Sequence, residues 1–339
     1  MATERNYKYF SEFKPASLFA VLISVIIIAY IIHKTDFALL ALSFKKLNPY
    51  WVIMMSGVYL LGFIVRGLRW HFMLLPIKTV KTRCTTEGVI VGYMANNILP
   101  ARAGELMRAI FIGNKESISK TSAFGTILIE RIFDGLVLVG ILIIGSFLVK
   151  SNNINDDLVN SIIVIGSLLF GSAMLIVLMG VKYRHTVEII FAYIIKHLPQ
   201  NISGKSHSIV EHLLDSLNFL KTNKNLPSIL ICSVFVWLIE GLVFWIGFLA
   251  FQLPGDFAVA YFTLALVNLG MLVPSAPGGI GIFQGGTILA FSFFGITIEN
   301  ALSYSITVHS IMIIPITIIG LFIINRYGLS IFKITINTN

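Results

Sequence analysis

Charged residues are scarce in this sequence. They make up 12% of the 339 residues against 56% hydrophobic, and mean hydropathy is +0.87. Soluble domains carry roughly one-quarter charged residues, so a water-soluble globular fold is excluded and a polytopic membrane protein is implied. Cysteine is scarcer still. Cys84 and Cys232 are the only two, which excludes a disulfide framework, and they lack the spacing of a zinc site. No metal or other cofactor is expected. Acidic residues are outnumbered 16 to 25, giving a net charge of +9. That surplus does not call for nucleic acid, because the Lys and Arg residues sit mainly beside apolar runs, where the positive-inside rule places them. Signatures of soluble enzymes are missing too: no Gly-Lys-Ser/Thr follows the glycines at 278, 279, 281, 285 and 286, and there is no Gly-x-Ser-x-Gly or His-Glu-x-x-His.

What the chain does have is apolar length. Segments near 16–32, 50–65, 126–149, 158–181, 226–251, 258–274, 278–295 and 301–325 read as eight spans, most of them close to the roughly 17–25 residues needed to cross a bilayer. The first run ends Ile31-Ile32-His33-Lys34 without a small-residue cleavage site, so it reads as an uncleaved span. Arg66, Arg69, Lys78, Lys81 and Arg83 follow the second span, and Lys182, Arg184, Lys196, Lys205, Lys221 and Lys224 follow the fourth. Both loops are expected in the cytoplasm, with both chain termini. Arg66 and Arg69 read as snorkelling anchors at a helix end, with lipid-headgroup contact as the alternative. A ninth apolar stretch, 86–112, must then enter and leave by one face. Lys34, Lys45 and Lys46 fall in an outside loop, against the rule. In the loop 182–225, Val187, Ile190, Phe191, Ile194, Ile195 and Leu198, then Ile209, Leu213, Leu217 and Leu220, recur near helical spacing. These are expected to be amphipathic helices that either lie on the cytoplasmic leaflet or dock a cytoplasmic lipid enzyme. The whole of 1–339 reads as one all-α transmembrane bundle of about eight spans plus a re-entrant hairpin.

Two places break the apolar pattern. Pro100 interrupts the run that passes through Asn97, and a regular helix cannot continue through it, because the ring removes a donor and clashes one turn back. In lipid, freed backbone groups are tolerated only where they are buried in protein or face water. The second break is Pro274-Ser275-Ala276-Pro277-Gly278-Gly279. Like Leu99-Pro100 through Gly104, it places a proline after an apolar residue and a glycine four positions on. Paired interruptions of this kind in two halves of a chain point to a transporter-type site. The glycines serve either close helix packing or an unwound backbone.

Ionisable groups at membrane depth need a partner or a cavity. Arg102, Glu105 and Arg108 are spaced by three and share a face if the chain is helical from Ala101. Glu130, Arg131 and Asp134 form a second cluster with one surplus negative charge. Glu240 lies between Trp237 and Trp245 with no basic neighbour; it is expected to pair with another span, for which Arg131 is the guess, or to be protonated. These groups serve either as structural ion pairs or as a substrate site. Arginine's planar fork matches phosphate, which makes Arg102 and Arg108 the expected headgroup contacts.

At these residues the chain resembles the transmembrane-region family of lysylphosphatidylglycerol synthases, flippase-like membrane proteins. The shared pieces are Asn97-x-x-Pro100-x-Arg102-x-Gly104-Glu105-x-x-Arg108, Glu130-Arg131-x-x-Asp134, and Pro274-x-x-Pro277-Gly278-Gly279-x-Gly281. In the late motif an acidic residue commonly follows the glycines; this chain has Gln284. The resemblance implies a multi-pass protein of the prokaryotic plasma membrane that moves or accommodates a phosphate-bearing lipid. The soluble aminoacyl-transfer domain of bifunctional relatives is not expected, since nothing of domain size follows Lys333. Two other functions stay open: an intramembrane transferase acting on a lipid, and a scaffold for a cytoplasmic lipid enzyme.

Overall fold

A computed structural model of the protein describes residues 14–99, 103–149, 156–183, 224–272 and 275–327. Pro100, Arg102, Pro274 and the expected amphipathic helices between Val187 and Leu220 lie outside the described residues. Within them the chain is all-helical: α1 (Lys14–Lys34), α2 (Phe37–Lys45), α3 (Pro49–Leu74), α4 (Thr82–Ile98), α5 (Gly104–Glu116), α6 (Lys120–Leu148), α7 (Asp156–Lys182), α8 (Leu226–Phe251), α9 (Phe257–Gly270), α10 (Ile282–Ser292) and α11 (Ile298–Arg326), with a 3-10 turn at Pro277–Gly279 before α10. Local chemistry sets several of these starts. Asp36, Asn48, Ser119, Asp256 and Thr297 each accept a backbone N–H of the helix that follows, which satisfies a donor that the first turn leaves free.

The span count differs from the sequence expectation. Among the described residues α3, α8 and α11 are long and apolar enough to cross a membrane, and α1 with α2 counts as a fourth if that pair, bent by 90°, is one span. The segments read as spans at 258–274 and 278–295 are α9 and α10, of 14 and 11 residues. At 1.5 Å per residue these reach about 21 and 16 Å, well short of the roughly 30 Å of bilayer hydrocarbon. They pack on each other as a hairpin, as α4 and α5 do. So there are two hairpins, where the sequence pointed to one.

The second hairpin sits in a repeat of the first. The order long helix, hairpin, long helix occurs as α3, α4/α5, α6 and again as α8, α9/α10, α11, with outer helices of 26 and 29 residues both times. Packing follows the same scheme, α4 lying on α11 as α9 lies on α6, with α3 against α8 at the centre. The two copies run in opposite senses. Asn48 donates to the carbonyl of Ala250, Arg66 reaches Glu240 and Arg69 reaches Ser233, so α3 and α8 are antiparallel. Glu87 meets Tyr327 while Asn97 meets Thr317, so α4 and α11 are antiparallel as well. The turns after α3, α5 and α11 therefore share one face, and those after α2, α8 and α10 share the other. The hairpins enter from opposite faces and their tips meet in the core, where Gly278 lies beside Asn97.

Candidate functional site

The arginines of α3 organise the interior. Arg66 and Arg69 are 2% and 0% exposed, not snorkelling anchors: α3 continues to Leu74 beyond them, and α8 supplies polar partners. Arg66 pairs with Glu240, the partner that Glu240 was expected to find in Arg131, and also donates to the Tyr93 hydroxyl at 3.1 Å. Arg69 reaches Asp134 at 2.6 Å, Glu130 at 2.9 Å and the Ser233 hydroxyl at 3.2 Å.

Arg108 does not line up with Glu105 as its spacing implied. Its fork closes on Glu130 through two bonds of 2.8 Å, and its guanidinium lies 3.9 Å from the Trp70 ring centroid. At 3% exposure it is sealed, so the arginine expected to contact a headgroup is instead committed inside the bundle. Arg131 is the member that stays accessible. It holds Glu130 at 2.6 Å and Asp134 at 3.1 Å, yet its side chain is 33% exposed. Trp237 completes the shell by donating to Asp134 at 3.0 Å. Three guanidinium groups, Arg69, Arg108 and Arg131, thus face the two carboxylates of α6, and with the Arg66–Glu240 pair and Glu105 on the cavity wall the cluster sets four arginines against four carboxylates among the described residues.

The hairpin tips are built by small residues and amides. At the first, the Asn96 side chain accepts the Gly104 N–H at 2.8 Å, so the last turn of α4 caps the first turn of α5. A Cβ on Gly104 would fall 2.0 Å from the Gly92 carbonyl oxygen, which is why glycine is needed there. Asn97 turns the other way and donates to Thr317 at 3.0 Å. At the second tip Gly278, Gly279 and Gly281 have φ of 69°, 75° and 92°, values that favour glycine, so these residues serve an unwound turn. Ser24 of α1 accepts the Ala276 N–H at 2.9 Å. Gln284 uses its amide oxygen on the Gly281 N–H at 2.8 Å and turns its nitrogen to His309 Nδ1 at 3.1 Å. An acceptor Nδ1 leaves the proton on Nε2, which donates to the Gly278 carbonyl at 2.9 Å.

Between the tips lies a cavity of about 470 Å³. Its polar side carries Asn97, Glu105, Arg131, Asp134 and Glu240, and its apolar side includes Leu138, Phe170 and Leu269. Glu130 and Arg108 stand behind that wall as partners of the groups on it. Pro277, Gly278 and Gly279 line the cavity; Gly104 supports it from the first hairpin. Sequence reasoning missed Tyr93, Asn268 and Phe170, which look like ordinary members of apolar helices until the hairpins fold inward.

The family model described as the lysylphosphatidylglycerol synthase TM region matches residues 17–320. The chain belongs to this family. Among curated relatives it is similar to the UPF0104 membrane protein MJ1595 of Methanocaldococcus jannaschii, 25% identical over 284 residues that cover 80% of this chain and 83% of the relative. A second UPF0104 membrane protein of that organism, MJ1078, is 24% identical over 66% of this chain and 90% of its own length. A protein named Glycosyltransferase AglD, from Haloferax volcanii, is 21% identical over 80% of this chain, but the chain spans only 48% of that protein. For this chain the family membership shows a multi-pass membrane protein.

Proposed function

We propose that this protein moves a phosphate-bearing lipid between membrane leaflets, with Arg131 receiving the headgroup in the cavity between the two hairpin tips. One observation carries the reading: Arg131 lines the cavity with 33% of its side chain exposed while Arg66, Arg69 and Arg108 are sealed, and that cavity is set where helices entering from opposite faces end. Unwound tips suit a site that opens to either side, since irregular backbone at membrane depth lines cavities and transporter sites. Glu130, Asp134 and Glu240 hold the arginines in place while the headgroup passes. Arg102, next to this hairpin tip in sequence, is the second headgroup contact. The face bearing Lys78, Lys81, Arg83 and Lys115 is cytoplasmic by the positive-inside rule, which places both chain termini there in a plasma-membrane protein.

The test is reconstitution into vesicles carrying fluorescent phosphatidylglycerol or polyprenyl-phosphate lipids, read for leaflet exchange and for lipid mass. Faster exchange at unchanged mass supports transport; a new product mass supports a transferase. Replacing Arg131 by Ala is expected to slow exchange by at least about tenfold, the equivalent of one charge-assisted hydrogen bond, while Arg131→Lys keeps a larger share. Exchange at the wild-type rate in Arg131→Ala would reject the assignment.

A further inference from the structure

A lipid whose phosphate sits inside the bundle must lead its hydrocarbon tail out again, and α6 marks a route. Arg131, Gly135 and Leu138 follow one another at i, i+4 and i+7, so they form one stripe on the helix, and all three line the cavity. The stripe runs about 10 Å along the axis, from a cation to an apolar side chain. Opposite its middle stands Phe170 of α7. The ring lies so close to Gly135 that a Cβ there would fall 2.1 Å from it, and the next contact along the same pair of helices is Gly166 on Val139, at 2.9 Å for the corresponding atom.

Phe170 belongs to the face of α7 that packs on α6, together with Ile163, Gly166 and Met174, while the other face is exposed. Leu168 and Leu169 beside it are 67% and 53% exposed, and Val164 and Ile165 a turn earlier are 55% and 65%, whereas Phe170 is 8% exposed and Leu138 is 5%. At this point the Phe170 ring lines the cavity and the exposed side chains of α7 lie on the helix's other face. On the far side of the gap the tip of α9 presents Leu269, which lines the cavity, and Leu272, which lines it too and is 44% exposed. Leu138, Phe170, Leu269 and Leu272 are thus the apolar side chains that the cavity wall presents on this side, Leu272 being the most exposed of them.

We infer that Leu138, Phe170, Leu269 and Leu272 form a binding site for the hydrocarbon tail of the lipid whose phosphate Arg131 holds, with Phe170 closing the notch at Gly135 when the site is empty. This rests on the lipid reading above and adds to it the second half of the ligand: one stripe of α6 measures the molecule from phosphate to first methylenes. A burial of a few methylenes, at about 0.8 kcal/mol each, favours a tailed lipid over its free headgroup. The tail leaves between α7 and α9, because the ring can move there without breaking a hydrogen bond or ion pair.

The experiment uses the full-length protein in vesicles with a phosphatidylglycerol that carries a diazirine in one acyl chain, illuminated and mapped by mass spectrometry. Bilayer chains label Leu168 and Leu169 whether or not the site exists, so these serve as the internal control. Labelling of Leu138, which the surrounding bilayer does not reach, is the expected result. Phe170→Ala is expected to raise the ratio of Leu138 to Leu168 labelling by about twofold or more, since the ring's contacts are what fill the notch. Arg131→Ala is expected to lower it, because the headgroup no longer anchors the lipid. Label confined to the outer residues in the wild type and in Phe170→Ala would overturn the tail site, even where leaflet exchange is intact. Label at Leu138 in a protein that exchanges no lipid would keep the site and reject transport. An enlarged side chain gives a second check on the same ratio. Gly135→Ala, which cannot coexist with the ring in its present place, is expected to raise the Leu138 to Leu168 labelling ratio as Phe170→Ala does, and an unchanged ratio in that variant would count against the gate.

Discussion

Arg66 and Glu240 show what a charge inside an apolar bundle requires. Among the described residues each is the other's salt-bridge partner: Arg66 has Glu240 and the Tyr93 hydroxyl, set against the rings of Phe63 and Tyr93 at 5.3 and 5.4 Å. Removing one member leaves the other charge buried without its counterion, which costs about 3 to 5 kcal/mol, whereas replacing both by apolar residues is often neutral or better. Glu240→Leu is therefore expected to lower the thermal midpoint in detergent sharply, and Arg66→Leu with Glu240→Leu to recover most of the loss. A double variant as unstable as the sum of the singles would mean that the pair contributes through something other than mutual charge. The sequence showed that Glu240 needed a partner but not which one. Arg66 and Arg69 sit only a few residues from a run of Lys and Arg, so they read as the start of a hydrated loop; what makes them interior is that α3 continues past them for more than a turn and α8 lies alongside.

At the scale of elements, proline was legible and length was not. Pro100 marked the first hairpin because its missing donor forces a break at a definite place. The second hairpin was read as two spans because a hydropathy count includes the apolar turn residues Met271, Leu272 and Ile280 as though they advanced the helix. Closure at the first tip depends on Gly104, and the test compares two glycines. Gly104→Ala would press its Cβ to 2.0 Å from the Gly92 oxygen, while Gly57→Ala meets nothing within 4 Å. The former is expected to destabilise by about 1 to 3 kcal/mol, the range for overpacking, and the latter to be neutral or slightly stabilising, as alanine is the better helix former. Equal midpoints for the two would show that the tip adjusts freely. Both tips are also fastened to one stripe of α11: His309 holds Gly278, and Thr317, two turns on, holds Asn97. Thr317→Val removes the hydroxyl that Asn97 uses while keeping the shape. If α11 links the tips, this variant is expected to alter proteolytic or labelling access at the second tip as well as the first.

For the whole molecule, opposed hairpins require two faces of different chemistry, and only part of that contrast is legible in the positions of the lysines and arginines. The face after α3 and α5 gathers Lys78, Lys81, Arg83, Lys115 and Lys120, and there Lys115 bonds to both Glu87 and Tyr327 at 2.5 Å. Lys45 and Lys46 lie on the other face, which made them the awkward members of an orientation argued from charge alone. The bend of 90° between α1 and α2 accounts for them. It turns α2 away from the axis of α1, and the Ser43 hydroxyl bonds to the Asn300 side chain at 2.9 Å, so both lysines are left exposed at that surface. Orientation can then be read directly, with little background because Cys84 and Cys232 are both buried. In intact cells a membrane-impermeant maleimide is expected to label Lys46→Cys at once and Lys81→Cys only after permeabilisation. The reverse pattern would invert the protein and with it the proposed cytoplasmic face, but would leave the architecture standing. Labelling of both from the same side is the damaging result, since α3 would then fail to separate the two faces and the hairpins could not approach Arg131 from opposite sides.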